Sequence, residues 1–212
     1  MTAYGAPAYT LAYHFRRGWT DSPAQTIDLA LQLAKKAVEL DSSIPQNHWS
    51  LGYVHLMRQE YEAAESAVAQ AVAIAPNYAD GYGLLALIKN ALGESDLAIA
   101  LIEKGMRLNP YFTWDYPYNL GRAYYTLGRI DEAITALEDA RSRNPNAMPV
   151  RLYLAASYVR AGRLGDAQWE VEEIQALSPA ETISLLKSTH PIKDPKVMDT
   201  FAADLRAAGL PE

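Results

Sequence analysis

The chain has 212 residues, half of them hydrophobic and 21% charged, with a formal net charge of −6 and no cysteine. That apolar content supports a continuous core and argues against disorder. The acidic balance disfavours nucleic acid and anionic membrane, which call for clustered Lys and Arg. The lack of Cys removes disulfides and thiolate zinc sites. No apolar run reaches the roughly 18 residues of a membrane span. Met1–Thr10 lacks the basic and apolar regions of a secretory signal. These features describe a soluble, acidic chain and place it in the cytoplasm, although a cysteine-free chain also suits the periplasm.

In chain order, the spacing predicts a first helix over 3–16 and a second over 22–40, with Asp21 or Ser22 as cap and Pro23 in the first turn. Arg17–Pro23 is a long connector between them. From there a clock governs the chain. Pro76, Pro110, Pro145 and Pro179 recur at spacings of 34, 35 and 34 residues. A fixed period of that length marks an array of helix pairs, and Pro stops a helix because it has no N–H and biases the preceding residue away from helix. The predicted pairs are 46–58 with 61–75, 79–92 with 95–108, 115–127 with 130–143, and 148–161 with 164–177. Gly93, Gly128 and Gly162 break each pair in the left-handed conformation, with Gln59 in that place in the first. The stretch 110–117 carries the extra residue and predicts a bent lead-in to its helix.

After Pro179 the rhythm stops. A short helix is predicted over 180–188, a turn over His190–Pro195, and a last helix to Ala208 with Gly209 as stop. Val197, Phe201 and Leu205 at helical spacing suit a cap on the final apolar face. Upstream, Ala30, Ala37 and Ser42 hold the phase of an earlier repeat without its proline.

Counting back from each proline, Ala64, Ala98, Ala133 and Ala167 lie twelve positions earlier, and Ala71, Gly105, Ala140 and Ile174 lie five earlier. Small residues there let two helices approach closely. One helix earlier come Leu51-Gly52, Leu85-Ala86, Leu120-Gly121 and Leu154-Ala155. This pattern resembles the tetratricopeptide repeat. His48, Tyr82, Pro117 and Arg151 occupy its first aromatic position, so that only Tyr82 conforms. The resemblance implies an all-α fold, a right-handed superhelix of antiparallel helix pairs with about five pairs and C-terminal capping helices. The expected division is a single domain over 1–212: a divergent repeat at 1–44, repeats at 45–78, 79–112, 113–147 and 148–181, and a cap at 182–212.

The ends carry a narrower likeness. Phe15-Arg16-Arg17-Gly18-Trp19-Thr20-Asp21-Ser22-Pro23 and Pro191-Ile192-Lys193-Asp194-Pro195, with Leu205–Pro211, resemble the C-terminal tetratricopeptide region behind the catalytic domain of bacterial class III adenylate/guanylate cyclases. Related regions follow winged-helix domains in some bacterial regulators. The likeness implies a sensing or docking region beside an output domain, and the start inside a repeat helix leads us to expect an excised portion of a longer protein.

If the resemblance holds, the first helix of each pair lines a concave face. Trp49, Tyr53, Leu87, Asn90, Tyr118, Arg122, Tyr125 and Arg160 then face a groove that is aromatic and apolar, with Arg122 and Arg160 as isolated cations. Tyr and Trp give contact area at low entropic cost, and an Arg can grip a carboxylate. The alternative is that these tyrosines pack between neighbouring repeats. A chaperone-tail clamp is disfavoured, since Asp80 and Asp115 stand where it needs cations. His48 and His55 share a helical face, but a zinc site needs three or four ligands, so packing is the preferred reading. Asp131-Glu132 and Glu172-Glu173 read as solvated charge. No phosphate loop or catalytic constellation stands out. The reading is a non-catalytic interaction module without cofactor or metal, binding a protein or peptide and able to self-associate, with a stand-alone scaffold for an envelope or pilus complex as the alternative.

Overall fold

A computed structural model describes residues 3–212, and among these residues every regular element is an α-helix. In order they are α1 (Gly5–Arg16), α2 (Pro23–Leu40), α3 (Pro45–Met57), α4 (Tyr61–Ile74), α5 (Ala79–Ala91), α6 (Ser95–Leu108), α7 (Asp115–Thr126), α8 (Ile130–Arg143), α9 (Met148–Arg160), α10 (Leu164–Leu177), α11 (Ile183–Thr189) and α12 (Pro195–Ala208). The helices pack as neighbours in sequence, α1 on α2, α3 on α4, α7 on α8 and α9 on α10. The chain divides into two compact units, one up to Ile88 and one over Lys89–Glu212, with the division inside α5.

The small residues of the period sit where the helices touch. Ala64, Ala98, Ala133 and Ala167 are all fully buried. At Gly121 on α7 an added Cβ would lie 2.5 Å from Leu137 Cγ and 3.2 Å from the Ala133 carbonyl on α8. That proximity is why the Leu-small pair recurs, because a side chain there would force the two backbones apart. The breaks between paired helices take the left-handed backbone at Gly93, Gly128 and Gly162, and Gln59 adopts the same conformation with φ 60°.

The expected helices hold, with α6, α8, α10 and α12 on the predicted bounds. The short helix after Pro179 begins later than expected, at Ile183, because the Thr182 side chain accepts from Leu185 N at 3.1 Å and so sets the start. Before α7, Asn109 Oδ1 accepts from Tyr111 N, and Arg143 reaches back from α8 to donate to the Phe112 carbonyl while lying 4.4 Å over the Phe112 ring.

In the second unit, His190–Asp194 runs without helix and leads into α12, where Asp194 caps by accepting from Lys196 N at 2.8 Å. Gly209, at φ 101°, ends it. Of the expected cap stripe, Phe201 and Leu205 are fully buried and Val197 is only half-buried, and Met198 and Ala208 join the buried face. Their placement carries a consequence for function: α12 packs principally on α9, the first helix of the last pair, as well as touching α10 and α11.

Candidate interaction surfaces

The first unit presents an aromatic face. Trp49 and Tyr53 lie one turn apart on α3 and stack with ring centroids 5.7 Å apart and planes 7° apart. Tyr9 of α1 leans on both, at 5.3 and 5.0 Å. The Trp49 indole is fixed by donating to the Asp80 carbonyl on α5 at 2.9 Å. Rings continue along α1, with Tyr13 6.2 Å from Tyr9 and Trp19 edge-on to Tyr13 at 6.1 Å. The Arg17 guanidinium lies 5.0 Å over Trp19, and Trp19 is 60% exposed. Tyr9, Tyr13 and Trp49 are half-buried, so one side of this ladder is available to a ligand. Tyr9 is not among the residues that the sequence places in the groove. Its signal is the Tyr9–Tyr13 spacing of one helical turn, hidden because the first repeat lacks its proline. Tyr53 and Leu87, also expected at the groove, are buried.

The second unit brings Asn90, Tyr118, Arg122, Tyr125 and Arg160 to the side covered by its own C-terminal segment. Asn90 Nδ2 donates to the Asn119 carbonyl at 2.9 Å. Arg122 is only 2% exposed; its Nε donates to Tyr153 Oη at 3.1 Å, and its guanidinium lies over the Tyr118 and Tyr153 rings at 5.7 and 5.3 Å. Tyr125 Oη donates to Asp204 Oδ2 of α12 at 2.5 Å. Arg160 lies 3.6 Å from the same carboxylate and donates to the Tyr125 carbonyl at 3.2 Å. Burial, with the Asp204 carboxylate beside it, pushes the Tyr125 phenol far above its ordinary range.

The expectation of isolated cations is therefore corrected. Arg122 is buried against two rings that contribute cation–π attraction, and Arg160 is paired with Asp204. The Oδ1 atoms of Asn90 and Asn119 and the Tyr118 hydroxyl are buried without a hydrogen-bond partner among the described residues.

The two histidines are held separately. His48 Nε2 donates to the Ser42 carbonyl at 2.9 Å, and His55 Nδ1 lies 2.5 Å from Glu60 Oε2. Among the described residues no group of three or more His, Asp or Glu side chains is placed to share a metal. Of the acidic pairs, Asp131, Glu132 and Glu172 are exposed, as expected of solvated charge, and Glu173 is half-buried. Glu132 pairs with Arg129, and Glu173 with Arg151 at 3.1 Å. Sequence reasoning also missed Glu170, fully buried on α10 and gripped by Arg141 and by Arg151, the latter at 2.7 Å. Both guanidiniums also approach the Trp169 ring, at 5.5 and 5.4 Å. This clasp ties α8, α9 and α10 together.

A tetratricopeptide repeat model matches residues 24–79 and 118–180, and a second tetratricopeptide repeat model matches 79–112. Comparison with curated proteins returns no significant match. Solved structures with the same arrangement include TTC0263, a thermophilic TPR protein of Thermus thermophilus, at 21% identity over 95% of this chain and 99% of that one, with a TM-score of 0.69. PilW, a widely conserved type IV pilus biogenesis factor, is similar at 18% identity over 98% and 94%, TM-score 0.69. YrrB, a TPR protein with an unusual peptide-binding site, is similar at 19% identity over 79% and 85%, TM-score 0.53. At these identities the likeness is one of fold. Repeat models covering well over half of the sequence, with buried small residues and left-handed breaks at the expected places, make the chain a member of the tetratricopeptide repeat family.

Proposed function

We propose that this chain is a non-catalytic protein-interaction module that takes a peptide or protein segment on the inner faces of its first helices. Tetratricopeptide repeat proteins mediate protein–protein interaction, and the observation that carries the reading here is the Tyr9–Trp49–Tyr53 ladder. Three rings are held in place, one by a hydrogen bond to the Asp80 carbonyl, and Tyr9 and Trp49 keep surface for a ligand over the buried Tyr53. Rigid aromatic anchors lose little entropy on binding, which suits them to recognition. The Phe15–Pro23 and Pro191–Pro195 motifs support a finer reading, in which the module is the regulatory region of a bacterial, cytoplasmic, cyclase-associated signalling protein and self-associates.

The test is capture from an extract of the source cells by the intact chain and by Tyr9→Ala with Trp49→Ala, each prey being identified and its complex reconstituted from purified components. The double variant is expected to lose the reconstituted partner at least tenfold, about 1.4 kcal/mol, with an unchanged helical spectrum. Equal affinity for both chains sinks the reading. Cyclic-nucleotide synthesis by the purified chain would overturn its non-catalytic part.

A further inference from the structure

The inner side of α7 and α9 is already occupied by a segment of the chain. Phe201 of α12 stacks on Tyr153 of α9 at 4.3 Å with planes 22° apart, and sets its edge to Tyr125 of α7 at 5.7 Å. Three residues on, Asp204 takes the Tyr125 hydroxyl and pairs with Arg160. Leu205, four residues after Phe201, is fully buried. Positions i, i+3 and i+4 share one helical face, so these three form a single stripe. The opposite side of α12 is solvated, with Lys196, Asp199 and Arg206 exposed. This is an amphipathic helix laid in a groove by its anchor residues.

The lead-in to α12 is held in the manner of a bound peptide. Pro191 is buried, the His190 ring lies 5.9 Å from Tyr153, and Lys193 N donates to the Ala91 carbonyl at the end of α5, 2.8 Å away. The fit is incomplete. Next to Ala91, Asn90 keeps a buried Oδ1 with no hydrogen-bond partner among the described residues, and the same holds for Asn119 Oδ1 and the Tyr118 hydroxyl of α7. Buried acceptors left unmade weaken a complex, and a ligand that supplied N–H donors there would gain over the resident segment. Beside α12 a cleft remains, lined by Tyr125, Thr126, Arg160, Lys196, Val197 and Thr200.

We infer that the inner face of α7 and α9 is a receptor for an amphipathic helix, and that α12 is a resident occupant which a partner helix displaces. The partner carries an aromatic residue, an Asp three positions later and a Leu four positions later, matching Phe201, Asp204 and Leu205. The inference rests on the reading that the inner faces bind protein segments, and it names the class of segment for the second unit. Tethering gives α12 a high effective concentration, so a free helix competes weakly until the clasp is loosened.

The experiment uses the full chain, amide hydrogen exchange by mass spectrometry, and a labelled synthetic peptide with the sequence of residues 190–212. In the wild-type chain, residues 195–208 are expected to exchange faster than α9, because α12 opens without unfolding the repeats. In Asp204→Lys, which sets a cation against Arg160 and removes the acceptor of Tyr125, that exchange rises about tenfold and peptide affinity rises about tenfold or more. A peptide carrying Phe201→Ala and Asp204→Lys is expected not to bind. If 195–208 and α9 exchange together in the wild-type chain, α12 is fixed core and the inference falls, while the aromatic ladder of the first unit stands. If α12 opens in Asp204→Lys and the peptide still fails to bind, the face is no receptor, and the binding reading fails for this unit as well.

Discussion

Arg151 Nε donates to the carbonyl oxygen of Pro145, six residues earlier, at 3.1 Å. Tyr82 takes the same step to Pro76 at 2.9 Å, and His48 takes it to Ser42 at 2.9 Å. The three acceptors are the ladder positions. Each lies two residues past the end of α8, α4 or α2, where no following helical N–H exists to pair its carbonyl. A long, flat side chain with a donor near its tip, in the first turn of the next helix, supplies that bond. The shared requirement is a donor at a fixed reach, not an aromatic ring, so an imidazole, a phenol and a guanidinium stand in for one another. In the third repeat the residue six past Pro110 is Tyr116, a buried tyrosine like Tyr82, and the extra residue of that connection moves Pro117 one place beyond it.

Arg151 carries a second duty that Tyr82 lacks, since it neutralises the buried Glu170. Arg151→Ala leaves that carboxylate with Arg141 alone and is expected to cost about 3–5 kcal/mol, the usual penalty for breaking a buried pair. Tyr82→Phe removes one hydrogen bond and is expected to cost about 0.5–1.5 kcal/mol. Urea unfolding of the two variants checks the ordering. A smaller loss for Arg151→Ala than for Tyr82→Phe would show that the clasp holds little.

Gly121 and Gly165 make a matched contrast. A Cβ at Gly121 meets Leu137 Cγ at 2.5 Å and the Ala133 carbonyl at 3.2 Å, whereas at Gly165, in the first turn of α10, nothing lies within 4 Å. Gly121→Ala is expected to destabilise by about 1–3 kcal/mol through overpacking. Gly165→Ala is expected to stabilise by up to about 1 kcal/mol, because it removes conformational freedom from the unfolded chain and improves helix propensity. Thermal melts of the two variants should move in opposite directions. Movement in the same direction contradicts the packing account.

The paired helices are legible in the sequence because their signals are local. Glycine and proline stops and a small residue at fixed offsets set α6, α8 and α10 residue by residue. The destination of α12 is not legible. Phe201 and Leu205 at helical spacing say that a face is buried, but not against which helix, and the partner of Asp204 is Tyr125, 79 residues away. Repeat position alone puts Arg122 in the groove as a free cation. Its burial follows from Tyr118 and Tyr153, which close over it from its own helix and from α9. Glu170 does have a signal: Arg151 in a core position calls for a counter-ion on a neighbouring helix, and Glu170 is the carboxylate that answers it.

Gln59 stands where the later repeats place glycine, and its φ of 60° is left-handed. A residue with a Cβ loses roughly 1–2 kcal/mol there, and glycine returns part of that through its greater freedom when unfolded. Gln59→Gly is therefore expected to stabilise the chain by about 0.5–1 kcal/mol, read as a rise in the urea midpoint at constant slope. A fall in the midpoint would show that the exposed Gln59 side chain makes a contact worth more than the strain.

Alkaline pH bears on Tyr125 and Tyr158. Burial, aided by Asp204 at Tyr125 and by Glu138 at Tyr158, raises both phenols above their ordinary value near 10. The sign follows from linkage. Below about pH 10 both folded and unfolded chains hold these protons, and the stabilisation is fully present. Above that pH the unfolded chain releases them and the folded chain does not, so stability falls with rising pH. The urea midpoint is expected to change little between about pH 8 and 9.5 and to drop steeply by about pH 11. Tyr125→Phe is expected to be less stable at pH 8 by about 1.5–3 kcal/mol, having lost a hydrogen bond to a carboxylate, and to lose less between about pH 9.5 and 11 because one shifted phenol is gone. An equal alkaline drop in the variant would mean that the Tyr125–Asp204 bond does not hold the phenol neutral, and would remove the polar half of the α12 clasp.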